Sequence, residues 1–337
     1  MRGKKSVDQS GSAGKVAPVP HTEKRRLLTP ASSAPRIAAQ QQAPPLPNES
    51  VGPYIILKTL GTGGFSHVKL AVHIRDGKRV ALKMLEKPRS VKQGQANGHG
   101  PESEQLQTAI DQAHREAALI ESLKHPHIIR LLTTFETETH SCLVLEYIPN
   151  SDLYELMTAH PASLTEAFIK RIFSEMCSAV AHLHRNNICH RDIKIENILV
   201  DSDTGVKLTD FGLATRFTPG VLLTDRCGSE EYVAPEVIKA LPYDGRKTDV
   251  WALGIILFAL LTGELPFNVR PGSTLRSMFH RIATGSYKFP PPQPGRPPVS
   301  DLAKDLIRKI LTTNPVKRPS VEEVLSHPWL AQTVTGR

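Results

Sequence analysis

The sequence predicts an α+β fold with two lobes: a small N-terminal lobe made mostly of strands with one main helix, and a larger C-terminal lobe made mostly of helices. Short strand-like runs follow one another from residue 54, each bounded by glycine or polar residues. After residue 164, apolar residues recur every three or four positions, as they do in amphipathic helices. The 337 residues, of which 39% are hydrophobic and 22% charged, are enough for roughly two domains or for one large domain with two lobes.

Residues 1–50 precede this pattern and are predicted to form a disordered tail. They are rich in Pro, Ser, Gln and Ala and show no apolar periodicity. The tail carries eight Lys and Arg residues against three Asp and Glu, so it holds +5 of the net charge of +9. Because it has no aromatic residue that could stack on a base, we interpret it as a solvated basic arm and do not expect nucleic acid as a partner.

Three strand-like runs open the small lobe, at residues 54–57, 68–72 and 79–83. Between the first two lies a glycine-rich segment whose backbone N–H groups could approach a phosphate closely. A strand follows these glycines, whereas a dinucleotide-binding turn requires a helix there. A second low-complexity stretch, residues 87–105, is predicted to be a surface insertion before the helix that contains Glu116.

The helical part of the chain contains one clear apolar stripe and one continuous apolar run. The stripe consists of Ile169, Ile172, Phe173, Met176, Val180 and Leu183. The run, residues 255–261, is too short to span a bilayer and predicts a buried core helix, so no membrane contact is expected. The chain shows no signal-peptide pattern, and its four cysteines form no CxxC pair. These features predict reduced thiols and a cytoplasmic or nuclear location.

The most informative motif lies between residues 190 and 212. The sequence HRDIKIEN spans residues 190–197, and DFG spans residues 210–212. A carboxylate two residues before a lysine and five before an asparagine can meet a hydroxyl group, a phosphate and a metal ion. A second carboxylate can hold that metal from the other side. With this spacing, residues 54–331 resemble the eukaryotic protein kinases, with an N-lobe at 54–148 and a C-lobe at 149–331.

The resemblance implies an ATP- and Mg²⁺-dependent enzyme that phosphorylates Ser or Thr hydroxyl groups of proteins. Asp192 would orient the hydroxyl group as the catalytic base, and Lys194 would neutralise charge on the transferred group. A lysine at this position is typical of Ser/Thr-specific kinases. Asn197 and Asp210 would be the Mg²⁺ ligands, since Mg²⁺ prefers few protein oxygens together with phosphate oxygens.

The resemblance also implies an ATP site between the lobes. Lys83 would bind the α and β phosphates and would be held by Glu116. Backbone groups of Glu146 and Ile148 would face adenine, and Asp152 would contact the ribose. The full set of predicted ATP-binding residues is Leu60, Gly61, Thr62, Gly63, Gly64, Phe65, Ser66, Val68, Ala81, Lys83, Leu145, Glu146, Ile148, Asp152 and Leu199. Ser66 replaces the third glycine of the family pattern.

A regulatory hypothesis concerns Asp225. Many kinases carry a phosphorylated threonine two residues before the CGS sequence, here residues 227–229, where it pairs with the arginine of the HRD motif. A carboxylate at Asp225 opposite Arg191 could order this segment without phosphorylation, although it carries less charge than a phosphate. Thr224 is the alternative phosphorylation site, and an incidental loop aspartate is an equally simple interpretation.

Other residues that match the kinase pattern are expected to stabilise the fold or to select the substrate. Glu236 is expected to pair with Arg318, and Asp249 to bond the backbone of the catalytic loop. Glu196 and Asp152 favour substrates with Arg three residues before the acceptor. The sequence HPWL at 327–330 is typical of the calcium/calmodulin-dependent kinase group, and residues 227–254 resemble its fungal members.

Two alternatives remain open at this point. A pseudokinase scaffold would keep the fold and bind partners without phosphoryl transfer, which the intact set of motif residues disfavours. A nucleic-acid-binding protein would use the basic tail. The oligomeric state is not predicted by the sequence.

Overall fold

The computed structural model describes residues 49–63, 65–88, 101–149, 153–201, 205–269, 272–291 and 298–331. The predictions for Gly64, Asp152, the tail residues 1–48 and the insertion residues 89–100 therefore lie outside the described part of the chain.

The N-terminal lobe is built on a six-stranded antiparallel sheet with the order β1-β2-β3-β4-β6-β5. Its strands are β1 (Ser50–Val51), β2 (Tyr54–Thr62), β3 (Ser66–His73), β4 (Arg79–Glu86), β5 (Leu131–Glu136) and β6 (His140–Glu146). The three strand-like runs of the sequence are confirmed as β2, β3 and β4, each longer than predicted.

The two faces of β4 have different roles. Val80, Leu82 and Met84 point to one face and are buried with residues of β2 and β6. The alternate residues Ala81 and Lys83 point to the opposite face and are half-buried, as the two-residue period of a strand requires. The sheet therefore has one closed face and one face directed toward the functional residues.

Helix α1 (Pro101–Glu121) packs on this second face, through Ile110, Ala113 and Ala117. The prediction that the insertion extends to residue 105 is wrong, because the helix already begins at Pro101. Proline is compatible with the first helical position, and the Glu and Gln residues that follow are good helix formers. Low-complexity composition therefore did not exclude a helix here.

The C-terminal lobe is mainly helical and contains two short two-stranded sheets. The strands are β7 (Ile188–Cys189), β8 (Ile198–Asp201), β9 (Gly205–Leu208) and β10 (Thr215–Arg216). The helices are α2 (Leu153–Ala159), α3 (Glu166–Arg185), α4 (Pro235–Ile238), α5 (Gly245–Thr262), α6 (Leu275–Thr284), α7 (Asp301–Ile310), α8 (Val321–Leu325) and α9 (Pro328–Ala331).

Helices α3 and α5 form the centre of this lobe. All six residues of the predicted stripe are buried in α3, and residues 255–261 are buried in α5, so both predictions are confirmed. Both tryptophans of the chain, Trp251 and Trp329, are fully buried in the same core. The mixed α+β fold with two lobes is thus confirmed. Among the described residues, no helix has the length and apolar character needed to cross a membrane.

The C-terminal end of the described chain is fastened to the start of α3. The Glu166 carboxylate accepts hydrogen bonds from Ser300 Oγ at 2.8 Å and from Trp329 Nε1 at 2.7 Å. These bonds satisfy the buried indole N–H, which would otherwise be a costly unpaired donor. The last described helix therefore completes the core of the large lobe.

Candidate active site

A buried ion pair joins β4 to α1 on the open face of the sheet. Lys83 Nζ lies 2.9 Å and 2.6 Å from the two carboxylate oxygens of Glu116. Burial opposes the charge on Lys83, but the carboxylates of Glu116 and Asp210 outweigh this effect and raise the pKa of the lysine. The lysine is therefore held as a cation at neutral pH. The predicted pairing of Lys83 with Glu116 is present.

Asp210 lies on the other side of this lysine. Its Oδ1 is 3.4 Å from Lys83 Nζ, and its side chain is about half exposed. Burial alone would raise the pKa of Asp210, but the positive charges of Lys83 and Lys194 lower it below its usual value. The backbone of Asp210 has a φ of 60°, a left-handed conformation that is uncommon for a residue other than glycine. An ionised carboxylate is thus held in a strained turn that faces the cleft.

The Asp192 carboxylate is enclosed by donors. Lys194 Nζ lies 2.7 Å from its Oδ2, and the backbone N–H and hydroxyl group of Ser229 donate to its Oδ1 at 3.0 and 2.8 Å. Lys194 also donates to Ser229 Oγ at 3.1 Å. A carboxylate, a cation and a hydroxyl group therefore meet at one point. This cluster can hold an alcohol and a transferring anionic group in register.

Asn197 connects this cluster to Asp210. Its side-chain Nδ2 donates to the backbone oxygen of Asp192 at 2.9 Å, which leaves the amide oxygen as the group able to bind a cation. Thr209, the residue before Asp210, donates its N–H to the backbone oxygen of Asn197 at 2.9 Å. The two predicted metal ligands are therefore tied to neighbouring backbone segments.

The donor set fits Mg²⁺ rather than a metal enclosed by protein. Asn197 and Asp210 offer hard oxygen atoms, and the described residues contain no cluster of three or more His, Cys, Asp and Glu side chains that could hold an ion. Mg²⁺ is commonly held by one or two protein oxygens together with phosphate oxygens and water. The arrangement is compatible with a metal that arrives with its nucleotide.

Asp249 in α5 fixes the backbone at the start of the segment 190–197, which carries Asp192. Its carboxylate accepts the N–H groups of His190 and Arg191 at 3.0 and 2.9 Å, and His184 Nε2 lies 2.9 Å away. Arg191 adopts a left-handed φ of 65°. The bonds from Asp249 compensate for this unusual backbone conformation. The expectation that Asp249 bonds this backbone is confirmed.

The sheet register brings several predicted adenine-site residues to one face. Ala81 is directly opposite Leu145 of β6, and Val68 of β3 is opposite Lys83. Residues directly opposite each other in antiparallel strands share a face. These four residues are half-buried, as expected for the wall of an open cleft, and Leu199 of β8 is half-buried in the other lobe.

The glycine-rich turn shows where a ligand could approach the backbone. Gly63 donates its N–H to Ser66 O at 2.7 Å and closes the turn, while Leu60 and Phe65 are exposed. A Cβ added at Gly61 would meet no protein atom within 4 Å, and its φ does not require glycine. Neither packing nor backbone conformation explains this glycine, so close approach of a phosphate remains a physical reason for it.

The Glu146 side chain is turned away from the cleft. It pairs with Lys207 of β9 at 2.9 Å and accepts the N–H of Arg130 at 2.9 Å. The backbone N–H of Glu146 donates to Arg130 O at 3.0 Å. The side chain and the N–H of Glu146 are therefore engaged within the protein, and only its backbone oxygen could contact adenine.

Arg191 and Asp225 approach each other loosely. Arg191 Nη1 lies 3.9 Å from Asp225 Oδ2, and the Asp225 side chain is 85% exposed. Arg191 Nε also donates to Leu213 O at 2.8 Å, while Tyr243 OH donates to the backbone oxygen of Asp225 at 2.6 Å. An exposed pair at this distance contributes little free energy. The neighbouring Thr224 is exposed.

Sequence reasoning missed three contacts at this site. Ser229 was recognised only as part of the CGS sequence, although both its donors bind Asp192. The ion pair of Lys207 with Glu146 and the hydrogen bond of Gln112 with Gly212 were also not predicted. The position of Gln112, one helical turn before Glu116, is the only sequence signal that could have indicated its contact.

The sequence is similar to those of known protein kinases. The family model of the protein kinase domain matches residues 54–330. Over 280 residues the chain is 39% identical to the putative sperm motility kinase W of Mus musculus, an alignment that covers 83% of this chain and 50% of that protein. It is 38% identical over 281 residues to the sucrose non-fermenting protein kinase 1 of Fusarium virguliforme, covering 83% of this chain and 37% of that protein.

A third relative is the probable serine/threonine-protein kinase MARK-A of Dictyostelium discoideum. It is 35% identical over 288 residues, which are 85% of this chain and 25% of that protein. The chain thus spans between a quarter and a half of the length of these three relatives.

Proposed function

The chain belongs to the protein kinase family, and we propose that it transfers the γ-phosphoryl group of ATP, bound with Mg²⁺, to serine or threonine hydroxyl groups of proteins. The joint presence of two clusters in one cleft supports this function. One cluster is Lys83 with Glu116 and Asp210, and the other is Asp192 with Lys194. The names of the relatives, which include a serine/threonine-protein kinase, support the choice of acceptor.

In this proposal the residues of the large lobe prepare the acceptor. Asp192 accepts a hydrogen bond from the incoming hydroxyl group and aligns its oxygen for in-line attack, while Lys194 offsets negative charge on the group in transfer. The N–H and hydroxyl groups of Ser229 both bind Asp192 Oδ1. The other oxygen, Oδ2, accepts from Lys194 and, at 3.4 Å, from Asn197 Nδ2, and we propose it as the oxygen that faces the substrate.

The residues around Lys83 bind and orient the nucleotide. Lys83 would hold phosphate oxygens, and Asn197 and Asp210 would hold Mg²⁺ through their side-chain oxygens. The bound ion supplies positive charge that offsets the charge of the phosphates. Adenine would lie between Val68 and Ala81 above and Leu199 below, in an apolar pocket of the type that binds flat ligands.

Substitution of Asp192 tests the proposal directly. Asp192→Asn is expected to lower kcat for a Ser/Thr peptide by about 10²- to 10⁴-fold, the range of general-base catalysis, with little change in ATP binding. Asp301→Asn, a change at an exposed carboxylate of α7, is the matched control. Equal phosphate transfer by wild type and Asp192→Asn would reveal a contaminating kinase, and no transfer by either would favour a scaffold protein.

A finer proposal concerns the substrate sequence. Partial burial and the nearby carboxylates of Glu231 and Asp192 raise the pKa of Glu196, although Lys194 lowers it. A cationic side chain of the substrate would relieve this repulsion, so we propose a preference for Arg three residues before the acceptor. A degenerate peptide library should show this preference, weakened in Glu196→Gln. An acidic or proline-directed preference would contradict it.

The regulatory proposal is that Asp225 supports activity without phosphorylation of this segment. Its 3.9 Å distance from Arg191 and its exposure imply a weak contribution. If this segment needs no phosphate, phosphatase treatment should leave activity almost unchanged. Because the contact is weak, Asp225→Asn should lower activity no more than a few-fold. Loss of activity after phosphatase treatment would instead point to Thr224 or another phosphorylated residue.

We also propose a basic tail at residues 1–50, an N-lobe at 54–148 and a C-lobe at 149–331, in a protein of the cytoplasm or nucleus. The four free cysteines are compatible with such a reducing environment. Limited proteolysis is expected to remove the tail first, and a fluorescent fusion of the full chain would reveal its location.

A further inference from the structure

Gln112 connects α1 directly to the loop that carries Asp210. It lies one helical turn before Glu116, so both side chains point from the same face of α1. Glu116 reaches Lys83 of the sheet, whereas Gln112 Nε2 donates to the backbone oxygen of Gly212 in the large lobe. One face of one helix therefore contacts both the phosphate-binding lysine and the segment that holds a predicted metal ligand.

Gly212 lies where these groups meet. A Cβ added at this residue would lie 3.3 Å from Asp210 Oδ1, 3.7 Å from Gln112 Nε2 and 3.9 Å from Glu116 Oε2. The turn after Phe211 is closed by a hydrogen bond from the N–H of Ala214 to Phe211 O at 3.0 Å. A shift of the Gly212 carbonyl would therefore move Asp210, two residues earlier, with it.

A second polar contact joins the middle of α1 to this loop, because the Glu116 carboxylate also accepts a hydrogen bond from the backbone N–H of Phe211. Ile120, near the C-terminal end of α1, packs into the core of the large lobe, while Ala113 packs on the sheet. Beside Gln112 lies a cavity of about 220 Å³, which is also lined by Lys83, Glu116, Asp210 and Gly212. Open space thus lies between the helix and the loop beside Lys83, Glu116 and Asp210, and the hydrogen bond of Gln112 with Gly212 lies at its edge.

The hydrogen bond of Gln112 differs from that of another glutamine on the same helix. Gln107, on the same helix, donates to Asp111 four residues later at 3.0 Å and stays within α1. Gln112 is half-buried and instead reaches a carbonyl 100 residues away. A hydrogen bond between elements depends on their relative position, whereas a bond within one helix does not.

We propose that Gln112 is a positioning residue that couples the position of α1 to that of Asp210, and thereby sets the fraction of molecules in which Lys83, Glu116 and Asp210 are assembled. The inference rests on the proposed function, since these three groups matter as a nucleotide site. The hydrogen bond forms only when helix and loop are together. Its free energy therefore shifts the equilibrium between the assembled and the separated arrangement.

The test replaces Gln112 by methionine, which keeps the shape of the side chain and removes the donor. The apparent affinity for Mg-ATP, measured by calorimetry, should fall about two- to tenfold, the range that one neutral hydrogen bond supplies. The kcat/KM for ATP should fall by the same factor, the KM for the peptide should stay unchanged, and saturating ATP should restore most of kcat. Gln105→Met, at an exposed residue of the same helix, is the matched control.

A second readout does not depend on catalysis. Without nucleotide, the backbone amides of residues 210–214 should exchange hydrogen faster in Gln112→Met than in wild type, and equally fast in Gln105→Met. Gln112→Asn, which keeps the amide but is one methylene shorter, serves if the methionine variant does not fold, and the same changes are expected. A purely structural defect would lower the active fraction, which ATP would not restore.

Unchanged Mg-ATP affinity and unchanged hydrogen exchange in Gln112→Met would overturn the inference. Failure of the proposed function would look different. In that case wild type would transfer no phosphate, while the binding and exchange measurements would still report on the coupling.

Discussion

At the scale of single residues, the chemistry of the cleft depends on the immediate neighbours of each carboxylate. Asp192, Glu116 and Asp210 are the same kind of group in three different surroundings. Asp192 is surrounded by donors from one loop and one serine, Glu116 is neutralised by a single lysine, and Asp210 remains half exposed. These differences match the roles proposed for them, because only Asp210 is left accessible to an ion from solvent.

The cysteines provide a residue-scale prediction about pH. Burial raises the pKa of Cys142 to about 11, and burial raises the pKa values of Cys177 and Cys189 still further. A higher thiol pKa means less thiolate at a given pH. At pH 8 the thiolate fraction of Cys142 is therefore about a hundred-fold below that of a cysteine with the ordinary pKa of 9.0.

Iodoacetamide at pH 8 should consequently modify the half-buried Cys227 first, although burial also raises its pKa, and the other three only after denaturation. Modification of Cys227 should become faster as the pH rises toward its pKa. Mass spectrometry of the labelled peptides measures the order, and Cys227→Ser is the control that should lack the first modification. Labelling of Cys177 in the folded protein at a similar rate would contradict the prediction.

Some site residues could be predicted from the sequence and others could not. Asp192, Lys194 and Asn197 lie within one short segment, so their spacing in the chain nearly determines their proximity. Ser229 and Gln112 reach partners 37 and 100 residues away, and no local pattern reports such contacts. The direction of the Glu146 side chain was likewise not predictable, because its partner Lys207 comes from the other lobe.

At the scale of elements, the sequence pattern predicted which helices and strands exist better than it predicted where they begin and end. Strands β2, β3 and β4 were predictable because each contains a short strand-like run bounded by glycine or polar residues. The stripe of α3 was predictable because one face of the helix is buried, which imposes a period of about 3.6 residues. The start of α1 was not, since Glu104, Gln105, Gln107 and Thr108 are polar and exposed and so carry no burial pattern. The low-complexity composition of residues 101–105 predicts a loop, whereas in the structure these residues form the start of a helix.

A buried ion pair between Arg318 and Glu236 joins the segment before α8 to α4. Arg318 is fully buried, donates to both oxygens of Glu236 at 2.7 and 3.0 Å, and lies over the Trp251 ring with its guanidinium carbon 4.9 Å from the centroid. The expected pairing with Glu236 is confirmed. It also donates to the backbone oxygens of Lys247 and Thr312 at 2.7 and 3.2 Å.

Arg318→Met should lower the free energy of unfolding by about 3–5 kcal/mol, because it leaves the Glu236 carboxylate buried without its partner. Urea denaturation measures this loss. Arg308→Met, at a partly exposed arginine of α7, should cost far less and is the control. A double variant in which Glu236 is also replaced by Gln should recover part of the loss, and a loss under about 1 kcal/mol in Arg318→Met would contradict a role for the pair in stability.

At the scale of the whole molecule, the two lobes are joined by polar contacts at several points. Lys83 meets Asp210, Gln112 meets Gly212, and Glu146 meets Lys207. Ile128, in the segment after α1, also forms a β-bridge with Leu208. A ligand that binds between Lys83 and Asp210 would add contacts on both sides of this junction, and would therefore favour the folded protein as a whole.

Mg-ATP at a hundred times its Kd should stabilise the protein by about 2.7 kcal/mol and raise the Tm by about 5–10 °C. Thermal unfolding with and without nucleotide measures the shift. Asp210→Asn should retain only the part of the shift that does not require Mg²⁺, as should wild type with a chelator. The same Tm increase with and without Mg²⁺ would argue against the predicted metal ligands.

The positions of the two tryptophans determine which part of the protein intrinsic fluorescence can report on. Both indole rings are enclosed in the helical lobe, and the strand lobe contains none. Intrinsic tryptophan emission is therefore blind to loosening of the sheet and reports only on the larger half of the molecule. When this signal is compared with circular dichroism during denaturation, any gap between the two curves would measure how independently the lobes melt.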